Sequence, residues 1–208
     1  MKIVVIGIQG DVSEHINSVE RAFNEAGING DVIWARNKDD LEGADGIIIP
    51  GGESTTIGKL MFDSGMDISI KKLASQDIPI LGTCAGAILL AYDAGTEAHK
   101  TAQKLINLIN IKIDRNAYGR QKDSFEAIIS TSVGETKGVF IRAPLIKEIL
   151  EGAETFATCN RDIVGAKQGN VIALTFHPEL SGDTKIHRYF LELVIKQMQI
   201  RLLNNLGE

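Results

Sequence analysis

Apolar and polar positions along the chain follow two periods, and their alternation sets the expected architecture. Residues 2–8 are a short apolar run of the kind shown by strands buried on both faces. Gln9-Gly10-Asp11 reads as a turn. Beyond it, Ile16, Val19, Ala22, Phe23 and Ala26 recur at helical spacing, which predicts a helix over 14–26. Asp11 or Ser13 is placed to cap that helix and Gly27 to stop it. Residues 31–35 and 45–49 give two further strands. Ile78-Pro79-Ile80-Leu81 gives another, followed by an apolar run with helical character. Strand and helix in alternation predict a parallel, doubly wound sheet with right-handed crossovers and helices on both faces, a three-layer α/β fold.

The second half has a different rhythm. Residues 92–104 are polar and irregular, with His99 expected on the surface. Short strands are expected at 109–113, 125–130, 138–141, 155–158, 163–167 and 171–176, and only 144–150 reads as a helix among them. Strands without crossover helices pair antiparallel, so the mostly parallel sheet should gain an antiparallel extension. Residues 183–203 close the chain as an amphipathic helix. No repeat, low-complexity stretch or linker interrupts the pattern, so a single domain is expected over 1–208.

Composition narrows the classes. The chain has 208 residues, 44% hydrophobic and 24% charged, with a formal net charge of −5. That fits one globular domain, and a mildly acidic chain without a basic cluster argues against nucleic acid as a partner. Two cysteines far apart suggest neither a disulfide scaffold nor a metal site. No apolar run approaches membrane-spanning length, and residues 1–8 run into a polar turn too soon for a signal peptide. A cytoplasmic, reducing setting is expected, which suits a reactive thiol.

The candidate chemistry lies where strands end. Gly82-Thr83-Cys84-Ala85-Gly86, between an apolar strand and a helix, has the order of a nucleophile elbow with sulfur in place of oxygen. The turn needs glycines because a Cβ on either side would collide with the crossing strand or helix. It raises Cys84 to the carboxyl end of the sheet and to a helix N-terminus, where the backbone dipole favours an anion. A buried structural cysteine is the plainer alternative. The strand at 45–49 ends in Pro50-Gly51-Gly52-Glu53-Ser54-Thr55-Thr56, whose glycines let backbone N–H groups face a ligand crevice. A phosphate loop is disfavoured, since no lysine and no G-x-x-x-x-G-K-[ST] spacing is present. A tight turn before a helix cap would also account for it. His177-Pro178-Glu179 ends the last expected strand, where residues two apart share a side. An imidazole held in one tautomer by a carboxylate, with its other nitrogen on a thiol, needs such a pair. Cys84, His177 and Glu179 are therefore the expected catalytic set.

Those residues resemble the triad-type (class I) glutamine amidotransferases, whose fold is flavodoxin-like. Four more stretches resemble the glutaminase subunits of pyridoxal 5′-phosphate synthases. They are Gly7-Ile8-Gln9-Gly10 with Glu14-His15, the 50–56 segment, Arg115-Asn116-Ala117-Tyr118-Gly119-Arg120-Gln121 with Asp123-Ser124-Phe125-Glu126, and Val139-Phe140-Ile141-Arg142-Ala143-Pro144. The resemblance departs at 96–107, a longer connection than usual, and in a tail after about residue 199.

It implies hydrolysis of L-glutamine to glutamate and ammonia through a cysteine thioester. The ammonia goes to a synthase subunit that makes pyridoxal 5′-phosphate from ribose 5-phosphate and glyceraldehyde 3-phosphate. It further implies an oxyanion hole from the backbone N–H groups of Gly52 and Ala85 with Gln9 close by. Gly51, Gly52, Glu53, Arg115, Ile141 and Arg142 then hold the substrate. No cofactor and no metal is expected. Gln9-Gly10 and the helix starting near Glu14-His15 are expected to contribute to a docking face. Two alternatives stay open: a glutaminase subunit serving another pathway, and a non-catalytic module on the same fold.

Overall fold

The computed structural model describes residues 1–115 and 124–206. In chain order its elements are β1 (Lys2–Ile6), α1 (Val12–Ala26), β2 (Asp31–Ala35), a 3₁₀ turn (Lys38–Leu41), β3 (Gly46–Ile49), α2 (Ser54–Asp63), α3 (Met66–Ala74), β4 (Ile80–Thr83) and α4 (Ala85–Leu90). There follow β5 (Ala91–Asp93), α5 (Gly95–Lys100), β6 (Ile109–Asp114), β7 (Phe125–Thr131), β8 (Gly134–Phe140), β9 (Leu145–Ile149), β10 (Glu154–Cys159), β11 (Asp162–Gln168), β12 (Val171–Leu174), a second 3₁₀ turn (Pro178–Leu180) and α6 (Lys185–Leu206).

The strands run β2-β1-β3-β4-β12-β11-β10-β7-β8, with β9 joining β6 to β11 and β5 pairing β6. From β2 to β12 all neighbours are parallel. From β12 outward they are antiparallel. The expected α/β sheet with an antiparallel extension is therefore present.

The unbroken apolar runs follow from the strand period of two. Ile3 and Val5 of β1 and Ile48 of β3 pack with Val19, Ala22 and Phe23 of α1 and Phe190, Leu191 and Val194 of α6. Val4, Ile6, Ile47 and Ile49 face the other way, onto Ile57, Met61, Met66, Ile70, Leu89 and Leu90 of α2, α3 and α4. Each such fully buried side chain is stabilised by roughly 1.5–3 kcal/mol relative to exposure. No helix among the described residues is long and apolar enough to cross a membrane.

Two expectations fail on element type. Residues 144–150 are not helical: β9 pairs antiparallel with β6, with Ile113 opposite Ile146 and Ile111 opposite Ile149. Their apolar spacing suits either period, and the open edges of β6 and β11 decide between them. The cross-strand Lys112–Glu148 ion pair, at 2.7 Å, adds to that choice. Residues 92–104 are more ordered than expected, holding the end of β5 and all of α5. His99 is exposed there, as expected, and pairs with Asp93 at 2.9 Å.

Candidate active site

Four loops meet at the carboxyl ends of β1, β3, β4 and β12, the crevice where sheets of this kind bind ligands. The β4–α4 turn carries Cys84 at φ 47° and ψ −102°, a left-handed conformation rare for a residue with a side chain. Its backbone N–H donates to the Leu174 carbonyl at 2.8 Å, which ties the elbow to β12. The flanking glycines are required sterically. A Cβ on Gly86 would land on the Ile49 carbonyl oxygen, and one on Gly82 on Leu90 and the Gly86 backbone. Both collisions are the expected ones, with strand and with helix. Ala85 opens α4, so its N–H has no partner within the helix.

His177 and Glu179 do converge, but not through a shared strand face, because β12 ends at Leu174. His177 instead forms an isolated antiparallel bridge with Val139, its N–H donating to the Val139 carbonyl at 2.8 Å. Pro178 then opens the 3₁₀ turn that brings Glu179 back beneath the ring. Glu179 Oε1 lies 2.7 Å from His177 Nδ1.

A second carboxylate, Asp11 Oδ2, lies 3.2 Å from the same nitrogen. The expected capping role of Asp11 is thus mistaken: it occupies the N-cap position of α1 but makes no side-chain cap bond. Ser13 does not cap either, its hydroxyl donating to Glu14. Gly51 packs flat against this pair, since a Cβ there would strike His177 Cε1 and Asp11 Oδ2.

Burial opposes charge on His177, yet the hydrogen bonds of its ring with Asp11, Cys84 and Glu179 push its pKa up to about 12. The ring therefore holds a proton at neutral pH. The His177 hydrogen bond outweighs partial burial and lowers the Asp11 pKa. Burial raises that of Glu179 against the pull of His177. Among the described residues, Asp11, His177 and Glu179 are the group whose donor atoms, all within 4.8 Å, could hold a metal ion. Both carboxylates already share one imidazole N–H, which accounts for the cluster as a hydrogen-bonded unit.

The remaining expected residues form a second line. Gln9 Oε1 accepts from the Glu53 N–H at 3.4 Å, joining the β1 loop to the β3 loop. The Glu53 carboxylate caps α2, accepting from Thr55 N at 3.2 Å and Thr56 N at 2.6 Å. Those bonds and the Thr55 hydroxyl outweigh desolvation and lower its pKa to about 2. Arg115 Nη2 lies 3.5 Å from Glu53 Oε1, and its Nη1 donates to Gln103 at 2.7 Å. Ile141 and the exposed Arg142, at φ 46°, follow directly on the segment that bridges His177. The expected stretch from Asn116 to Asp123 lies outside the described residues. A separate pocket of about 360 Å³, lined by Thr55, Lys59, Phe62, Gln103 and neighbours, does not include the Cys84–His177 centre.

His15, expected at a docking face, is fully buried beneath Glu179 with His187. The sequence marked it only as a matching position, because its partners stand at the far end of the chain.

The sequence pattern of the SNO glutamine amidotransferase family matches residues 5–196. The chain belongs to that family. Within the SNO family it is 48% identical over 198 residues to "Pyridoxal 5'-phosphate synthase subunit PdxT" of Pyrococcus furiosus, covering 94% of this chain and 100% of that protein. The protein of the same description from Thermococcus onnurineus is 47% identical over 194 residues, 92% of this chain and 98% of that one. A solved structure titled "Crystal structure of glutamine amidotransferase" is 40% identical, with a TM-score of 0.81 over 92% of this chain and 98% of that one. The SNO assignment agrees with the resemblance carried by the motifs.

Proposed function

We propose that this chain hydrolyses L-glutamine to glutamate and ammonia, and delivers the ammonia to a synthase subunit that builds pyridoxal 5′-phosphate. The observation that carries the reaction is the line Glu179–His177–Cys84 at the end of the parallel strands. The pathway and partner rest on the relatives described as subunits of a pyridoxal 5′-phosphate synthase. Ribose 5-phosphate and glyceraldehyde 3-phosphate are the synthase's substrates in this reading, and no group on this chain is assigned to them.

The Cys84 sulfur attacks the side-chain amide carbon of glutamine, forming a C–S bond while the carbonyl electron pair moves onto oxygen. The N–H of Ala85 and of Gly52 receive that oxyanion, with Gln9 bracing the loop. Fixed donors of this kind are worth roughly 10²–10³ in rate each. His177, with Nδ1 committed to Glu179, gives the proton on Nε2 to the amide nitrogen, and ammonia leaves. Neutral His177 then takes a proton from water as it adds to the thioester. The C–S bond breaks, and the new acid ionises as glutamate departs. Arg115 and the 141–142 segment hold the α-carboxylate and α-amine, with Gly51 and Glu53 shaping the wall between them.

The test is glutamate release from glutamine by the chain with its synthase subunit. Cys84→Ala should abolish turnover and Cys159→Ala should leave most of it. A diazo-ketone analogue of glutamine should label Cys84 alone. Labelling mainly at Cys159, or no hydrolysis by the wild-type complex, overturns the reading.

A further inference from the structure

Behind the triad the side chains continue into the core. Glu179 spends Oε1 on His177, and its Oε2 is buried without a hydrogen bond of regular geometry. Oε2 lies 3.3 Å from His15 Nε2, which is also 3.0 Å from the hydroxyl of Thr83, the residue before Cys84. His15 Nδ1 lies 3.1 Å from His187 Nε2, and His187 Nδ1 has no partner. Thr83, His15 and His187 are all fully buried, so bulk solvent does not reach these groups. His15 comes from α1 and His187 from α6, the two helices packed on this face of the sheet.

The protons have one economical arrangement. Burial lowers the pKa of both rings, well below the usual value for His15 and to about 4 for His187, so each carries a single N–H at neutral pH. If His15 held its proton on Nδ1, its Nε2 lone pair would face the Glu179 carboxylate, and His187 would bury an unpaired N–H. With the proton on Nε2, that N–H meets the Glu179 carboxylate and His187 Nε2–H donates to His15 Nδ1. The unpaired His187 nitrogen is then a neutral lone pair, and the Thr83 hydroxyl is the group left without an acceptor for its proton. Each arrangement leaves one neutral donor unpaired, and a ring lone pair held against a buried carboxylate is the costlier defect.

We propose that His15 is a positioning residue for the triad carboxylate: its Nε2–H is shared between Thr83 and Glu179 Oε2, and His187 fixes the tautomer that allows this. The inference rests on the glutaminase reading above. It makes the orienting group a buried chain of four, His177–Glu179–His15–His187, rather than one carboxylate.

The titratable and charged groups facing the chain are few. Glu179 meets His177, with Asp11 beyond it, and His15; His187 feels Arg21 and Asp183. Without the His15 donor, Oε2 is a bare buried anion, so Glu179 takes a proton at a higher pH. The active carboxylate is then lost earlier on acidification.

In the wild-type complex with the synthase subunit, kcat and KM for glutamine are measured across pH. His15→Leu should lower kcat roughly 10- to 100-fold, the scale of one hydrogen bond to a charged group, with KM little changed. Its acid limb should move to higher pH. His15→Gln, which returns an N–H donor, should recover most of the rate and the wild-type limb. His187→Leu should shift the limb the same way by less, and it carries the test should His15→Leu fail to fold. The His177 Nδ1 proton, followed by NMR in the labelled chain, gives a readout independent of turnover. A folded His15→Leu with the wild-type acid limb and Nδ1 signal, or a folded His15→Gln no better than His15→Leu, overturns the proposal. Absence of turnover in the wild type with an intact Nδ1 response to His15→Leu would instead overturn the glutaminase reading.

Discussion

Two carboxylates meet one ring nitrogen at His177, and they do so unequally. Glu179 is buried at 2.7 Å from Nδ1, whereas Asp11 stands at the mouth, 3.2 Å away and 35% exposed. Asp11 leads the interactions that hold a proton on the ring against burial. Asp11→Asn should therefore lower the pH at which His177 loses that proton, moving the basic limb of kcat/KM for glutamine downward. Activity at neutral pH should survive, because Glu179 still orients the ring. An unchanged basic limb would remove Asp11 from the site. Glu179→Gln and His177→Ala separate orientation from proton transfer. The first should retain more kcat than the second, although members of such a unit are far from additive. Equal activities in folded variants would show that Glu179 does more than orient.

At the scale of elements, the β4–α4 elbow was readable because its constraint is local. Gly82, Cys84 and Gly86 stand within five residues, and the close approach of Ile49 explains the second glycine. Gly86→Ala should cost about 1–3 kcal/mol in urea denaturation, as overpacking does, with weaker labelling of Cys84 by the glutamine analogue. A fully stable, normally labelled Gly86→Ala would mean that α4 shifts freely on β3. Elements decided by distant pairing were not readable in this way. The apolar spacing of 144–150 suited a helix, and only the waiting edges of β6 and β11 made it a strand. His177 and Glu179 were correctly paired for an incomplete reason, since the strand stops before them and a 3₁₀ turn brings them together. Asp11 had the sequence position of a helix cap, and only the fold shows that it points at a histidine from the other end of the chain. His15 was hidden for the same reason.

At the scale of the whole molecule, the crevice offers groups for making ammonia, and none of its described residues is assigned to a second substrate. Coupling to a partner should therefore favour an oxyanion hole completed on docking, so that glutamine is not spent without an acceptor for the ammonia. The Gly51–Gly52 peptide is placed for that switch. A Cβ added to Gly10 would meet the Gly51 carbonyl oxygen before its carbon, so that oxygen is turned toward Gly10 and the Gly52 N–H, on the opposite edge of a trans peptide, points away from it. Gly10 and Gly52 sit at φ 109° and 135°, and both can exchange conformations that a side chain would forbid. Gln9 links this peptide to the β1 loop through the Glu53 N–H, so a partner pressing on Gln9-Gly10 would act directly on it. His15 does not belong to that face, since it is buried; Gln9 and Gly10, both exposed, remain. Titrating the synthase subunit into a fixed amount of this chain should raise glutamine turnover until the sites saturate. Gly52→Val would place a branched side chain at φ 135°, within 3.1 Å of Gly10 and Ile57, and pin the peptide. It should blunt the rise in turnover while binding of the subunit, followed by calorimetry, stays nearly unchanged. Full turnover by the isolated chain, indifferent to added subunit, would rule the switch out.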